Sequence, residues 1–265
     1  MRTFTLLAVL CAVILGGAHV AARAEPPRAD DSPEPIMHAG LSYHTIQVGN
    51  TSVKYAVYIP RDLDLSKPQP AIVFLNGRGE CGTDGVRQCS VGLIPAALAQ
   101  PDTWPFIIIA PQKPDFDAMW DAFADHVLGA LDRTARQVKI DPARVYLTGL
   151  SQGGYGTWRI AASNPDRFAA IAPICGWGDP AFVAPRVAHI PIWAFHGLKD
   201  RVIVPEKSRD MVAAVKSAQA AAGAEPQRPE PKLTEFPEAD HNSWDDAYRK
   251  SELGAWFLAH TRAGR

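Results

Sequence analysis

Val145-Tyr146-Leu147-Thr148-Gly149-Leu150-Ser151-Gln152-Gly153-Gly154-Tyr155-Gly156-Thr157-Trp158 is the stretch that decides the architecture. Its first part, VYLTG, is β-rich and apolar. Its second part, QGGYGTWRIAA, has helical spacing, and Pro165 stops it. Between them stands Ser151, on a turn with Gly149 before it and Gly153 after it. A nucleophilic serine needs this placement, because it must stand proud on a sharp, strained strand-to-helix turn. Glycine at 149 and 153 leaves room for strand and helix to approach closely, and the helix start offers N–H groups to an oxyanion. A G-x-S-x-G string alone also arises by chance, as a glycine-rich turn with an exposed serine. The strand before it and the helix after it favour the nucleophile.

Outward from this turn, short β-rich runs alternate with longer helical ones. The strand candidates are Tyr43–Val48, Val53–Ile59, Ala71–Leu75, Phe106–Ala110, Val145–Gly149, Ala169–Ile174, Ile192–His196 and Leu233–Phe236. The central ones, AIVFL, FIIIA and IWAFH, are apolar almost throughout, as a parallel strand covered on both faces requires. The first two, joined by a short turn at Asn50-Thr51, are expected to pair as an antiparallel hairpin at one edge. Helices are predicted over Met119–Gln137, Gln152–Ser163, Pro205 to about Ala222 with Gly223 as cap, and Trp244–His260. AAAGAEPQRPEPK reads as a surface loop. Strand-helix alternation of this length predicts an α/β fold, a mostly parallel eight-stranded sheet flanked by helices.

An acid and a base should follow the serine in chain order. The strand IWAFH leads into Gly197-Leu198-Lys199-Asp200, and an aspartate just past the carboxyl end of a strand lies where open α/β sheets build sites. Asp200 is the expected acid; the alternative is a helix-starting acid ahead of Pro205. Asp240 and Asp245 lie too close in sequence to the candidate base. That base is His241, in EADHNSW between the last strand and the last helix. His196 is its rival, but it ends a buried strand and reads as a structural histidine. Two backbone N–H groups are needed for an oxyanion: that of Gln152, after the nucleophile, and that of Arg78, in the Asn76-Gly77-Arg78-Gly79-Glu80 loop after the third strand. The Arg78 side chain is a further candidate to reach an anionic substrate group. Trp120, Trp177, Trp244 and Tyr155 fall near these loops and are candidate pocket residues, with a place in the core as the alternative reading for each.

Arg2, the apolar run Phe4–Val20 and Ala22-Arg23-Ala24 have the layout of a secretory signal peptide over 1–24, cut before Glu25. An uncleaved anchor is the alternative, but Gly16 and Gly17 interrupt a run already near the lower length limit. Cys11 lies inside the run with Leu10 before it, which argues against a lipoprotein. Residues 25–38, rich in proline and charge, read as a disordered spacer. The remaining stretch, 39–265, suits one large catalytic domain. The chain has 27 basic and 28 acidic residues; the leader holds Arg2 and Arg23 and no acid, so the rest carries a formal charge of -3. No basic run interleaved with aromatics points to nucleic acid. Cys81 and Cys89 flank one loop and could pair in an oxidising compartment, whereas Cys175 ends an apolar run and reads as a buried free thiol. No two cysteines have metal-site spacing.

Four blocks, NGRGECGTD, GLSQGGYGTW, HGLKDRVIVP and EADHNSW, together resemble the α/β-hydrolase superfamily. Within it they look most like exported esterases grouped with predicted peptidases and phospholipase/carboxylesterase-type proteins, akin to polyhydroxybutyrate depolymerases and to feruloyl and acetyl xylan esterases. The blocks occur in the right order across most of the chain beyond the leader. The likeness implies Ser151 as nucleophile, His241 as base and Asp200 as its partner, with no metal or other cofactor. One position departs: many relatives have His-Gly where this chain has Asn76-Gly77, which spares the backbone donor. The expectation is a secreted or periplasmic serine carboxylic-ester hydrolase, a monomer acting on small-molecule or carbohydrate-linked esters, with no nucleic-acid partner and no membrane span after processing. A peptidase of the same fold and a non-catalytic binding module are the competing readings. No long insertion follows the sixth strand, so no large lid is expected.

Overall fold

The apolar runs are continuous because the sheet they build is covered on both sides. The computed structural model describes residues 38–222 and 229–262. Eight strands form one sheet: β1 (Gly40–Val48), β2 (Thr51–Ile59), β3 (Gln69–Leu75), β4 (Ile107–Pro111), β5 (Ile140–Leu150), β6 (Ala170–Ile174), β7 (Trp193–Gly197) and β8 (Lys232–Phe236). Their order is β1-β2-β4-β3-β5-β6-β7-β8. β1 is antiparallel to β2, and β2 to β4, while the remaining neighbours are parallel. The described helices are α1 (Leu93–Ala99), α2 (Ala124–Gln137), α3 (Gln152–Ser163), α4 (Pro180–Val187), α5 (Glu206–Ala221), α6 (Trp244–Lys250) and α7 (Leu253–Leu258).

Alternate strand residues feed two cores. Val73, Leu75 and Leu147 face Val127 of α2, Trp158 of α3, Val183 of α4 and Met211 of α5. Ile72, Phe74 and Tyr146 face Leu93 of α1, Tyr248 of α6 and Phe257 of α7. Each fully buried side chain of this size contributes about 1.5–3 kcal/mol relative to exposure. Every parallel strand therefore ends its carboxyl terminus between two packed layers, and the loops that leave those ends carry the candidate site.

Several expectations shift. The hairpin turns at Gly49-Asn50 rather than Asn50-Thr51, with Gly49 at φ +56, a left-handed conformation that suits glycine. The segment from Met119 begins as a 3-10 turn, Trp120–Phe123, before α2. The last helix is two helices: Ser251 adopts an extended backbone, its Oγ donates to Ala247 O and accepts from Leu253 N, and the ladder breaks there. α1 and α4 were not predicted. Cys81, Cys89 and Cys175 are all unpaired thiols, so the possible Cys81–Cys89 bridge is absent. The expected signal peptide, the expected spacer apart from His38, and Gly223 lie outside the described residues. Among the described residues, no helix is long and apolar enough to cross a membrane.

Candidate active site

β5 ends in Leu150, α3 starts at Gln152, and Ser151 stands between them at φ 55, ψ -117. That backbone is strained for a residue with a Cβ. The turn survives because Gly153 has no side chain: a Cβ there would lie 2.0 Å from Leu75 O and 2.8 Å from Asn76 O. Ser151 N–H donates to Ile174 O at 2.9 Å, which ties the turn to β6.

Asp200 and His241 come from the loops after β7 and β8. Asp200 follows β7 and its side chain is fully buried. Its Oδ1 accepts the N–H groups of Val202 (2.8 Å) and Ile203 (3.0 Å). His241 sits in the loop after β8. Leu198 N–H donates to Phe236 O and Lys199 N–H to Ala239 O, both at 2.9 Å, which ties the Asp200 loop to the His241 loop. Gly197 permits this approach, since a Cβ there would lie 2.2 Å from Asp240 O. His241 Nδ1 lies 2.7 Å from Asp200 Oδ2, and its Nε2 lies 3.0 Å from Ser151 Oγ. A carboxylate only accepts, so the ring proton belongs on Nδ1 and Nε2 is left to accept from the serine hydroxyl. Trp244 packs edge-on against the imidazole at 5.5 Å.

The loop after β3 closes the site. Arg78–Glu80 forms a 3-10 turn, and Arg78 is its first residue. The first N–H groups of a helix have no intrahelical acceptor, which leaves those of Arg78 and Gln152 available at the two sides of Ser151. Buried side chains brace the loop. Asn76 Oδ1 accepts Lys113 N–H at 3.1 Å, Asn76 Nδ2 donates to Gly77 O at 2.6 Å, and Trp120 Nε1 donates to Asn76 O at 3.0 Å. Lys113, fully buried, donates its ammonium to the carbonyls of Asp115 and Ala118. Burial pushes the Glu80 carboxyl above the usual range, partly offset by the N–H groups of Glu80 and Gly77.

A cleft of about 430 Å³ opens over the serine, lined by residues 77–80 and 150–152, Trp177, Val202, Ile203, His241 and Trp244. Trp177 and Trp244 therefore face it. Trp120 does not: it is fully buried and bonded to Asn76 in the loop after β3. Tyr155 packs against Trp177 with the rings tilted by 41° and their centroids 5.4 Å apart. The Arg78 side chain pairs with Asp117 at 3.0 Å and lies 5.8 Å from the Phe116 ring. His196 is fully buried. Asp240 holds Asn242 N–H, and Asp245 pairs with Arg249. Asn76, Lys113, Glu80, Val202 and Ile203 were not singled out for these places. A lysine directly after the apolar run FIIIAPQ was the one local signal.

Cys175 approaches the same centre. Its Sγ lies with Asp200 and His241 ligand atoms in a group all within 4.8 Å of one another. A metal or a nucleophile would need the thiolate. The thiol is wholly buried, and burial pushes it up to about 12. The donor set thus fits a neutral thiol beneath the serine better than a metal ligand.

The sheet order and the helices on both of its faces are those of the α/β-hydrolase fold. The comparisons bear on it directly. No protein-family model matches the sequence. NocK of Nocardia uniformis subsp. tsuyamanensis, named as an esterase, is 26% identical over 215 residues, 77% of this chain and 60% of NocK. Poly(3-hydroxyalkanoate) depolymerase C of Paucimonas lemoignei is 50% identical over 114 residues, 31% of this chain and 27% of the depolymerase. A thermostable esterase of known structure superposes with a TM-score of 0.71 at 30% identity, over 84% of this chain and 63% of that one. The acylaminoacyl peptidase of Pyrococcus horikoshii shares the fold alone, with a TM-score of 0.65 at 15% identity over 87% of this chain and 43% of the peptidase. The chain thus spans less than two thirds of each of these relatives.

Proposed function

We propose that this protein is an exported serine hydrolase that cleaves carboxylic esters through an acyl-enzyme. The observation that carries the reading is the continuous Ser151–His241–Asp200 hydrogen-bonded chain at 3.0 and 2.7 Å, at the foot of an open cleft. His241 Nε2 takes the Ser151 proton as Oγ attacks the acyl carbon. Negative charge on the carbonyl oxygen is met by the N–H groups of Gln152 and Arg78. The imidazolium, steadied by Asp200, protonates the departing alcohol, and a water activated by His241 then releases the acid. The signal peptide over 1–24 would deliver the domain outside the cytoplasm, and N-terminal sequencing of the mature protein checks cleavage before Glu25. The substrate is a small-molecule or carbohydrate-linked ester.

The names of the relatives favour esters. The peptidase reading draws on the shared fold alone. Hydrolysis of 4-nitrophenyl esters from acetate to laurate, beside Ser151→Ala, is the test. Loss of roughly a million-fold in the variant is expected, and the chain-length optimum sizes the acyl pocket. Activity that survives in Ser151→Ala and disappears in Cys175→Ala would instead make the thiol the nucleophile. Peptide cleavage without ester cleavage would support the peptidase. Failure of a fluorophosphonate to label a folded protein would leave only a binding module.

A further inference from the structure

Glu80 lines the cleft and takes no part in the serine chemistry above. It ends the 3-10 turn that Arg78 begins. Its carboxyl folds back on that loop, since a Cβ at Gly77 would lie 3.0 Å from Glu80 Oε2. Oε2 is buried, with no hydrogen-bond partner among the described residues. Burial holds the carboxyl above the usual range, and the N–H groups of Glu80 and Gly77, then Arg87 and His241, pull it back toward the charged form. A carboxyl so placed is costly to keep, and the loop would pack as well around a neutral group.

The other charged groups near the cleft are answered by partners. Arg78 pairs with Asp117 in the open, where the two side chains are 60% and 88% exposed. Arg87 lies 3.9 Å from Asp84, and both are about half exposed. Lys113 gives its ammonium to the carbonyls of Asp115 and Ala118. Asp200 accepts the N–H groups of Val202 and Ile203 and faces the His241 ring. The Cys81 thiol, next in sequence to Glu80, is pushed up by burial and stays neutral. Exposed ion pairs are screened by water and salt, whereas a buried charge is screened far less. Trp177, Val202, Ile203 and Trp244 add apolar walls, and a cleft with such walls focuses the field of a charge inside it.

We propose that Glu80 sets the charge selectivity of the cleft, favouring esters that carry an ammonium group and opposing esters that carry a carboxylate. The inference rests on the serine-esterase reading above and names the kind of ester that site takes. The carboxylate attracts a cation and repels an anion from the same place. The two indole rings act in the same direction, because an aromatic face attracts a cation.

The test uses esters of matched shape and different charge, at mildly alkaline pH. On the acyl side these are 4-nitrophenyl esters whose chain ends in trimethylammonium, in its neutral tert-butyl isostere or in carboxylate. On the alcohol side they are acetates of alcohols ending in the same three groups. In the parent protein, kcat/KM for the ammonium ester should exceed that for the carboxylate ester by about tenfold or more on at least one side, with the neutral ester between them. Glu80→Gln keeps the shape and removes the charge, and should bring that ratio to within about threefold of equality. Any effect of the change on the Arg78 loop or on His241 falls on all three esters and cancels in the ratio. Glu80→Ala carries the same comparison if the glutamine variant does not fold. Calorimetric binding of the same esters to Ser151→Ala needs no turnover: the ammonium ester should bind more tightly than its isostere, and the added Glu80→Gln should remove the difference. A protein that cleaves none of these esters yet keeps this binding preference would sink the esterase reading alone. Equal kcat/KM for the three charges on both sides of the parent's ester bond overturns the proposal without any variant. So does a preference that survives intact when Glu80 is neutral, since its source would then lie elsewhere.

Discussion

The turn that carries Ser151 and the loop that carries Arg78 meet at one cleft, yet they are held by opposite means. The turn is fixed by contact between main chains. Gly153 lies so close to β3 that a Cβ would sit 2.0 Å from Leu75 O, and the serine N–H reaches across to Ile174 O. The Arg78 loop is fixed by polar side chains that come from far along the chain: Asn76 bonds to Lys113, Trp120 bonds back to Asn76, and Lys113 holds the carbonyls of Asp115 and Ala118. A device made of backbone tolerates one residue type at a position. A device made of side chains tolerates many solutions. The first can be broken outright, and the second only weakened.

Gly153→Ala tests the first half and has the largest expected effect. The added methyl meets backbone atoms of β3 that cannot rotate away. Overpacking of this kind costs about 3 kcal/mol or more, a large part of the stability of an ordinary domain. The expected result is little soluble protein, or a thermal midpoint lowered by several degrees with the esterase rate lost. A variant that folds and reacts normally would show that the strand and helix can separate, and that the backbone contact is not what fixes the turn.

This contrast also explains what the sequence made legible. The eight strands were readable because each central strand is apolar on both faces, a pattern that follows from burial alone. The elbow at Ser151 was readable because sterics leave only glycine at 153. Asp200 and His241 were readable by order and by position after strand ends, and they lie within hydrogen-bond reach of one another. The brace around Asn76 was not, since no local rule links residue 76 to residues 113 and 120. α1 was hidden by its length and its start: it is seven residues long and opens after Gly92 at φ +72 with no side-chain cap. α4 had left a signal, Asp179-Pro180, with Asp179 capping the N–H groups of Ala181 and Phe182. Trp120 fell near the site loops in sequence, but its bulk belongs under them.

Removing one main-chain donor should rank second. Arg78 is the first residue of its 3-10 turn, a position that tolerates proline. Gly77 before it is extended, at φ -76 and ψ -176, as a residue preceding proline must be. Arg78→Pro therefore deletes the N–H together with the exposed side chain and its Asp117 pair, a loss that Arg78→Ala measures by itself. A fall in kcat of roughly a hundredfold or more is expected, with the thermal midpoint nearly unchanged. A rate within a few fold of the parent would remove Arg78 N–H from the oxyanion site.

Weakening the brace comes third. Asn76→Ala leaves the Lys113 N–H and the Gly77 carbonyl without their buried partner. The stability cost is about 1–3 kcal/mol, read by denaturant unfolding. The rate should fall by about tenfold, because the loop loosens while its N–H groups remain. A larger loss of rate than Arg78→Pro produces would mean that Asn76 meets the substrate itself.

The smallest effect is expected for Arg78→Ala, and its value lies beside the proline variant. The guanidinium pairs with Asp117 at the surface, where the two side chains are 60% and 88% exposed. An exposed pair of this kind is worth about 0–1 kcal/mol. The backbone N–H survives the change. Neutral esters should be cleaved within about threefold of the parent rate. Esters that carry a carboxylate are the sharper probe: a selective rise in KM for them, suppressed by salt, would give the side chain a role in recognition. Equal rates for both classes would confine Arg78 to its main chain, which is what a loop held by Asn76 and Lys113, rather than by its own surface charge, requires.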